Sequence, residues 1–301
     1  MDRAGAPAWL FRFAATFLLL WAACWAAPRL FANLPQFPPT TTDQMQVDVF
    51  DRYFRLPAQG VVLVGSSLSY RLKEQYFEHG DVRNAAINGG SPLTGMAIIA
   101  AAPSARPRVI AVETNVLDRT IDKDLLEQFK NAKRPEDTLR PLRSLAAYYQ
   151  GAKDDAITYG KARIRAIVAR PPAPDLAPGR VAEGSGEWNE PTRREAMARG
   201  AAALGSLVEN LQAEGVAIFF YEVPYPSQLD HSLYATMARE ALARVISPDD
   251  KRRLMLEYPA EELRWNADGI HLDDRSAVIF AAALDDAIHK KLTGQQRAGA
   301  P

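Results

Sequence analysis

The 301-residue chain has a single cysteine, Cys24, which excludes an internal disulfide framework and any Cys-x-x-Cys zinc or redox site. Net charge is also lacking. Its 36 Lys and Arg balance 36 Asp and Glu, so no global field draws it to nucleic acid or anionic lipid. No basic patch with interleaved aromatics replaces that field, and no nucleic acid is expected as a partner. Neither a GxxxxGK[ST] nor a GxGxxG loop occurs, so ATP and dinucleotides have no visible phosphate cradle. Only four histidines are present, scattered without ligand spacing; no metal and no organic cofactor is implied. There is no internal repeat.

What remains is apolar bulk. With 48% hydrophobic residues over 301 positions the chain can bury a full core in one or two domains. Its first 28 residues stand apart: Phe13 to Ala27 carries no charge, and Ala8 to Phe11 extends it past Arg12. That length is near the lower limit for spanning a bilayer, about 17–25 residues. Arg3 and Arg12 on its N-terminal side predict a cytoplasmic N-terminus, with everything after Pro28 exported. The expected placement is a single-pass inner-membrane protein with its body in the periplasm. Cleavage as a signal peptide, giving a secreted or periplasmic protein, is the rival. A clean A-x-A site is missing, however, because Trp21, Cys24 and Trp25 interrupt the Ala-rich end.

Residues 29–41 are Pro-rich and read as a tether. Met45, Val49, Phe50, Tyr53 and Phe54 then share helical spacing. Apolar runs of strand length follow at Gly60–Val64, Val82–Ile87 and Val109–Glu113, with helical candidates at Leu68–Glu78 and Pro92–Ala102 between them. This alternation predicts a parallel sheet with helical crossovers. The rhythm breaks from 119 to 205, a charged helical stretch ending in a Pro- and Gly-rich loop, read as an insertion or lid. It resumes with a helix ending near Glu214, a strand at Val216–Pro224, a helix around Ser232–Val245, a possible strand at "RLMLEY" and a last helix to about Leu292. The main domain is thus expected over 42–292, with 293–301 a disordered tail.

In a parallel sheet the loops at the carboxyl ends of the strands form the crevice where ligands bind. Here those loops carry Gly65-Ser66-Ser67, Asn88-Gly89-Gly90 and Thr114-Asn115. Asp268-Gly269-Ile270-His271 arrives late, an Asp-x-x-His with a glycine inside it that permits a tight turn. A serine hydroxyl becomes a good nucleophile when a base takes its proton, and an imidazole does so best when a carboxylate fixes its tautomer. A Gly-Ser-Ser turn also serves as ordinary turn chemistry, and a loop histidine as an ordinary surface residue. The shared position of these groups at strand ends is what singles them out.

The ordered set "VVLVGSSLSY", "NAAINGGSPLTG", "VIAVETNVLDR" and "DGIHLDD" resembles the four blocks of the SGNH, or GDSL-like, hydrolase family, over Val61 to about Leu292. The resemblance implies a three-layer α/β/α sandwich with a mainly parallel central sheet, flavodoxin-like, carrying a helical insertion and preceded by a transmembrane helix. It implies Ser67 as nucleophile, His271 as general base and Asp268 as its orienting partner. The oxyanion hole would comprise the backbone N–H groups of Ser67 and Gly89 and the side-chain amide of Asn115. Two blocks depart from the family pattern: Ser66 stands where the first block has Asp, and Glu113-Thr114-Asn115-Val116 where the third has Gly-x-Asn-Asp.

With its N-terminal anchor, the Gly-Ser-Ser block is similar to that of exported SGNH proteins that work with membrane-bound O-acyltransferases on surface polymers. The implied function is serine-dependent transfer or removal of acyl groups, acetyl above all, on a cell-surface polysaccharide. Expected partners are that polysaccharide, a membrane-bound O-acyltransferase or polysaccharide synthase, and the membrane itself. A generic extracytoplasmic esterase or lipase, or a catalytically silent scaffold binding a glycan or membrane acyltransferase, are the alternatives. Trp188, Tyr148 and Tyr149 in the insertion are candidates for a glycan-binding wall.

Overall fold

The computed structural model describes residues 5–30, 42–55, 60–79, 82–130, 161–174 and 187–298. Tyr148, Tyr149 and nearly all of the expected tether lie outside these ranges. Four strands form one sheet: β1 (Val61–Val64), β2 (Val82–Asn84), β3 (Val109–Glu113) and β4 (Ala217–Tyr221). Their order is β2-β1-β3-β4 and every pairing is parallel. The expected parallel α/β architecture is therefore present. As a regular strand β2 is shorter than the apolar run through Ile87 suggested, although Ala85 and Ile87 still donate to the carbonyls of Leu63 and Gly65 before the loop that carries Gly89.

Parallel strands need crossovers, and here the crossovers cover both faces. Val62 and Val64 of β1, Ile110 and Val112 of β3 and Ile218 and Phe220 of β4 point into one core. Their alternates Val61, Leu63, Val109, Ala111, Phe219 and Tyr221 point into another, as a period of two requires. The first core is closed by α2 (Thr42–Arg55), α4 (Pro92–Ala100) and α5 (Lys123–Phe129), together with α7 (Arg194–Ala213) and α9 (Leu233–Ala243). The second is closed by the short α3 (Ser67–Tyr70), by α6 (Lys161–Val168) and by α10 (Asp274–Ala298). Among the described residues, the α-helices outside these two sets are α1 (Gly5–Leu30) and the four-residue α8 (Ser227–Asp230).

Phe50, Tyr53 and Phe54 of α2 are buried, as their spacing predicts. Phe50 and Phe54 both meet Phe129 of α5, at centroid distances of 5.7 Å. Each fully buried large side chain of this kind contributes about 1.5–3 kcal/mol. "RLMLEY" contributes only a bridge between Phe220 and Arg253. α10 runs to Ala298 rather than stopping near Leu292, with the Thr293 hydroxyl donating back to the His289 carbonyl. The expected disordered tail over 293–301 is therefore helical through residue 298.

A helix also forms over the apolar N-terminus, and its rings are exposed: Trp9, Phe11, Phe13, Phe17 and Trp25 among them. Among the described residues, no helix is long and apolar enough to cross a membrane. The uncharged stretch between Arg12 and Pro28 spans about 15 residues, below the usual spanning length.

Candidate active site

β1 delivers Val64 to the sheet edge and ends in a turn at Gly65-Ser66, from which α3 starts at Ser67. Ser66 is the N-cap: its backbone is extended and its Oγ accepts from the Leu68 N–H at 3.2 Å. Ser67 is therefore the first residue of a helix, where the backbone N–H has no partner within the helix.

The late loop reaches the same point by a different route. A bridge between Trp265 and Leu272 pinches it closed, and inside it the Asn266 N–H donates to the His271 carbonyl at 2.7 Å. Gly269 takes φ of 70°, a left-handed conformation that a side chain would strain. The Trp265 indole N–H donates to the Pro224 carbonyl at 3.3 Å, tying the loop to the exit of β4. Asp273 then caps α10 by accepting from the Ser276 N–H at 2.7 Å.

These constraints bring the three expected side chains together across 204 residues of sequence. His271 Nε2 lies 2.8 Å from Ser67 Oγ, and His271 Nδ1 lies 2.9 Å from Asp268 Oδ2. The other oxygen of Asp268 accepts the N–H groups of Ile270 at 2.9 Å and of His271 at 3.0 Å. Partial burial opposes ionisation of Asp268, but these two N–H groups and the imidazole outweigh it and hold its carboxyl below the usual range. An ionised carboxylate only accepts, so Nδ1 carries the imidazole proton and Nε2 faces Ser67 as an acceptor. The Ser67 hydroxyl donates to it. In chemical terms the arrangement is a hydroxyl with a base already in contact and the base's tautomer fixed.

The two expected partners of an oxyanion sit at neighbouring strand ends. Gly89 takes φ of 73° in the loop after β2. Asn115, buried after β3, is held by the backbone of Val223: its Nδ2 donates to the Val223 carbonyl and its Oδ1 accepts the Val223 N–H, both at 2.8 Å. One amide hydrogen of Asn115 is thus committed to the fold, and the buried Tyr225 hydroxyl interacts with the same side chain, so a ligand oxygen would compete with it for the second. Beside Gly89 opens a cleft of about 490 Å³, lined by Gly90, Ser91, Thr94, Asp118, Arg119 and other polar groups. Asp118 is fixed in its wall by the Tyr234 hydroxyl at 2.7 Å and by Arg193 at 3.1 Å. Trp188 packs edge-on against Tyr225 and Tyr234, at centroid distances of 5.4 and 5.0 Å, so this ring of the insertion joins a packed aromatic cluster.

Sequence reasoning missed Glu113. It is the last residue of β3, fully buried, and its carboxylate lies under the Ser66-Ser67 turn. Its Oε1 accepts from Ser66 Oγ at 2.7 Å, and its Oε2 accepts the N–H groups of Ser66 at 2.8 Å and Ser69 at 3.2 Å. Beyond it, Ser69 Oγ and the buried Tyr221 hydroxyl are 2.7 Å apart. Burial pushes the Glu113 carboxyl above its ordinary range, partly offset by the Ser69 and Ser66 donors. The signal available in sequence was a charged residue closing the otherwise apolar run "VIAVE".

Among the described residues, no group of three or more His, Cys, Asp or Glu is arranged to hold a metal ion. Comparison of the chain with protein-family models, with curated proteins and with solved structures gave no match in any of the three.

Proposed function

We propose that the chain is a serine-dependent O-acyltransferase or esterase of SGNH type, acting on a cell-surface polysaccharide from a membrane-attached, exported body. The contact of Ser67 Oγ with His271 Nε2 at 2.8 Å, with Asp268 behind the imidazole, carries the chemical part. Ser67 Oγ attacks the acyl carbonyl of a donor ester while its proton passes to His271 Nε2. The bond from the acyl carbon to the donor oxygen breaks, and His271 returns the proton to that oxygen. The acyl-Ser67 ester is then attacked by a sugar hydroxyl or by water whose proton passes to His271 Nε2; the bond from the acyl carbon to Ser67 Oγ breaks, and His271 returns the proton to Ser67 Oγ. The N–H groups of Ser67 and Gly89 and the second amide hydrogen of Asn115 are the donors for the tetrahedral oxyanion. Such a donor is typically worth about 3–4 kcal/mol in the transition state.

The cleft beside Gly89, with the charged Asp118 and Arg119 in its wall beside the apolar Ile87 and Leu125, supports binding of a ligand with polar groups there. The exposed rings and leucines of α1 support attachment of the chain to a membrane. The test uses the purified full-length protein, an activated acetyl ester and an oligosaccharide acceptor. Ester turnover and mass gain on the sugar should both be present in wild type and absent in Ser67→Ala and His271→Ala. Equal turnover in all three proteins would remove Ser67 from the chemistry. Turnover without acetylated sugar would leave an esterase.

A further inference from the structure

The Glu113 carboxylate is not part of the chemistry just described, yet it touches the turn that carries the nucleophile on three sides. It takes the N–H groups of Ser66 and Ser69 and the hydroxyl of Ser66. Ser67 lies between the two clamped N–H groups. Because Ser66 Oγ already accepts from Leu68 N–H, its own proton is left for Glu113. The space under the turn is also committed. A Cβ on Gly65 would stand 2.5 Å from Glu113 Oε2 and 2.7 Å from the Ser69 side chain, distances at which atoms collide. With Glu113 and Ser69 in these places, position 65 has no room for a side chain.

We infer that Glu113 is the positioning residue of the nucleophile turn, and that the pair Ser66 and Glu113 performs as a unit the task for which the SGNH pattern places Asp in the first block and Gly in the third. The inference rests on the acyl-transfer reading for its kinetic consequences, though not for its geometry. Both departures from the block pattern are then one event: the carboxylate has moved from the turn to the neighbouring strand. Ser66 Oγ is 2.7 Å from Glu113 Oε1, so a carboxylate grafted at position 66 would enter the volume Glu113 now fills. Two carboxylates in that buried space repel, and one must take up a proton to stay. With neither present, the N–H groups of Ser66 and Ser69 are buried without an acceptor. Only one carboxylate, from either side, satisfies the turn. A clamp of this kind acts on where Ser67 Oγ sits relative to the bound ester, so it shows in kcat rather than in KM. A misplacement of about 1 Å is enough for a loss of about 10²-fold.

The experiment is an exchange cycle in the full-length protein: wild type, Ser66→Asp, Glu113→Gly, and the two together, with Glu113→Gln as the isosteric control. Turnover of an activated acetyl ester is measured per Ser67 hydroxyl titrated by an organophosphonate, so that misfolded protein is not counted. Each single variant and Glu113→Gln should lose about 10²-fold in kcat with KM nearly unchanged. The double variant should recover at least tenfold over the worse single. Amide exchange at Ser66 and Ser69 should quicken in Glu113→Gly and slow again in the double variant, and should stay slow in Ser67→Ala. A double variant no better than the worse single, in rate and in exchange, overturns the inference. So does an unchanged kcat in Glu113→Gln. If wild-type turnover proves independent of Ser67, the acyl-transfer reading fails, while amide exchange still decides whether Glu113 holds the turn.

Discussion

Two Asp–His pairs stand at opposite ends of the sheet with the same kinds of partner, although Asp268 divides them between its two oxygens and Asp285 takes all three on one. At the carboxyl ends of the strands, Asp268 meets His271 Nδ1 at 2.9 Å and accepts the N–H groups of Ile270 and His271. Before β2 begins, Asp285 of α10 meets His79 Nδ1 at 2.9 Å and accepts the N–H groups of Glu78 and His79. In both, a carboxylate fastens a loop through two backbone donors and one imidazole. The difference is on the far side of the ring. His271 Nε2 faces a serine hydroxyl at 2.8 Å, whereas the His79 ring stacks on His289 at 4.3 Å. The His79 side chain is also 43% exposed, against 20% for His271. A carboxylate behind a histidine is thus a common way to pin a loop. A base is made by what the imidazole meets and by whether water is kept away.

The sharpest way to break this contrast is to remove each histidine in turn. His271→Ala and Ser67→Ala should each lower kcat by about 10⁴-fold or more, the scale on which members of such a unit fail. His79→Ala and His289→Ala should stay within about twofold of wild type, since neither touches the reacting atoms. Comparable losses at His79 and His271, measured as ester turnover, would erase the distinction.

Asp268→Asn tests the shared half of the motif. The amide no longer enforces a proton on Nδ1, and loss of the right tautomer costs about 10⁴-fold where the carboxylate is buried. The Asp268 side chain is 40% exposed, so water replaces part of its action and a smaller loss, about 10³-fold, is expected. The same change at Asp285 should leave turnover alone. Below this in size comes Asn115→Ala, with an expected loss of about 10²- to 10³-fold in kcat from the missing oxyanion donor. Asn115→Asp, which keeps an acceptor for the Val223 N–H but presents negative charge, should fall as far. If Asn115→Ala lowers thermal stability while kcat holds, Asn115 serves only to tie β3 to β4.

The sequence showed the Ser67–His271–Asp268 half of this contrast and concealed the His79–Asp285 half. "VVLVGSS" and "DGIHL" are legible because strand-ending glycines and the Asp-x-x-His spacing are local, and each places its side chains by a turn of fixed geometry. β3 was legible to the residue, since "VIAVE" is a continuous apolar run buried on both faces. His79 carries no such signal, because nothing near it in sequence announces Asp285, 206 positions away. Glu113 was invisible for the same reason: its partners Ser66 and Ser69 are 47 and 44 residues distant, joined only by the pairing of β1 with β3. The commitment of Asn115 to Val223 likewise depends on β3 lying beside β4. Local turns carry their own signal. Contacts made by the sheet do not, and it is the sheet that decides which turn is clamped and which imidazole finds a hydroxyl.

The smallest expected effect sharpens the comparison from the structural side. The hydrogen bond to Asp285 raises the His79 pKa, against a small opposing effect of burial and with help from the charges of Asp285, Asp286 and Glu78. A histidine whose folded pKa is raised stabilises the protein fully below its unfolded pKa, near 6.5, and the contribution is lost as pH rises through the folded pKa. Removing the imidazole should therefore matter most in acid. An exposed pair of this kind is worth at most about 1 kcal/mol, so His79→Ala should lower Tm by about 1–3 °C at pH 5.5 and by less at pH 8.5. Calorimetric scans at the two pH values decide it. A gap that grows toward alkaline pH would mean that His79 is held as the neutral imidazole, and the two Asp–His pairs would then differ only in what lies beyond the ring.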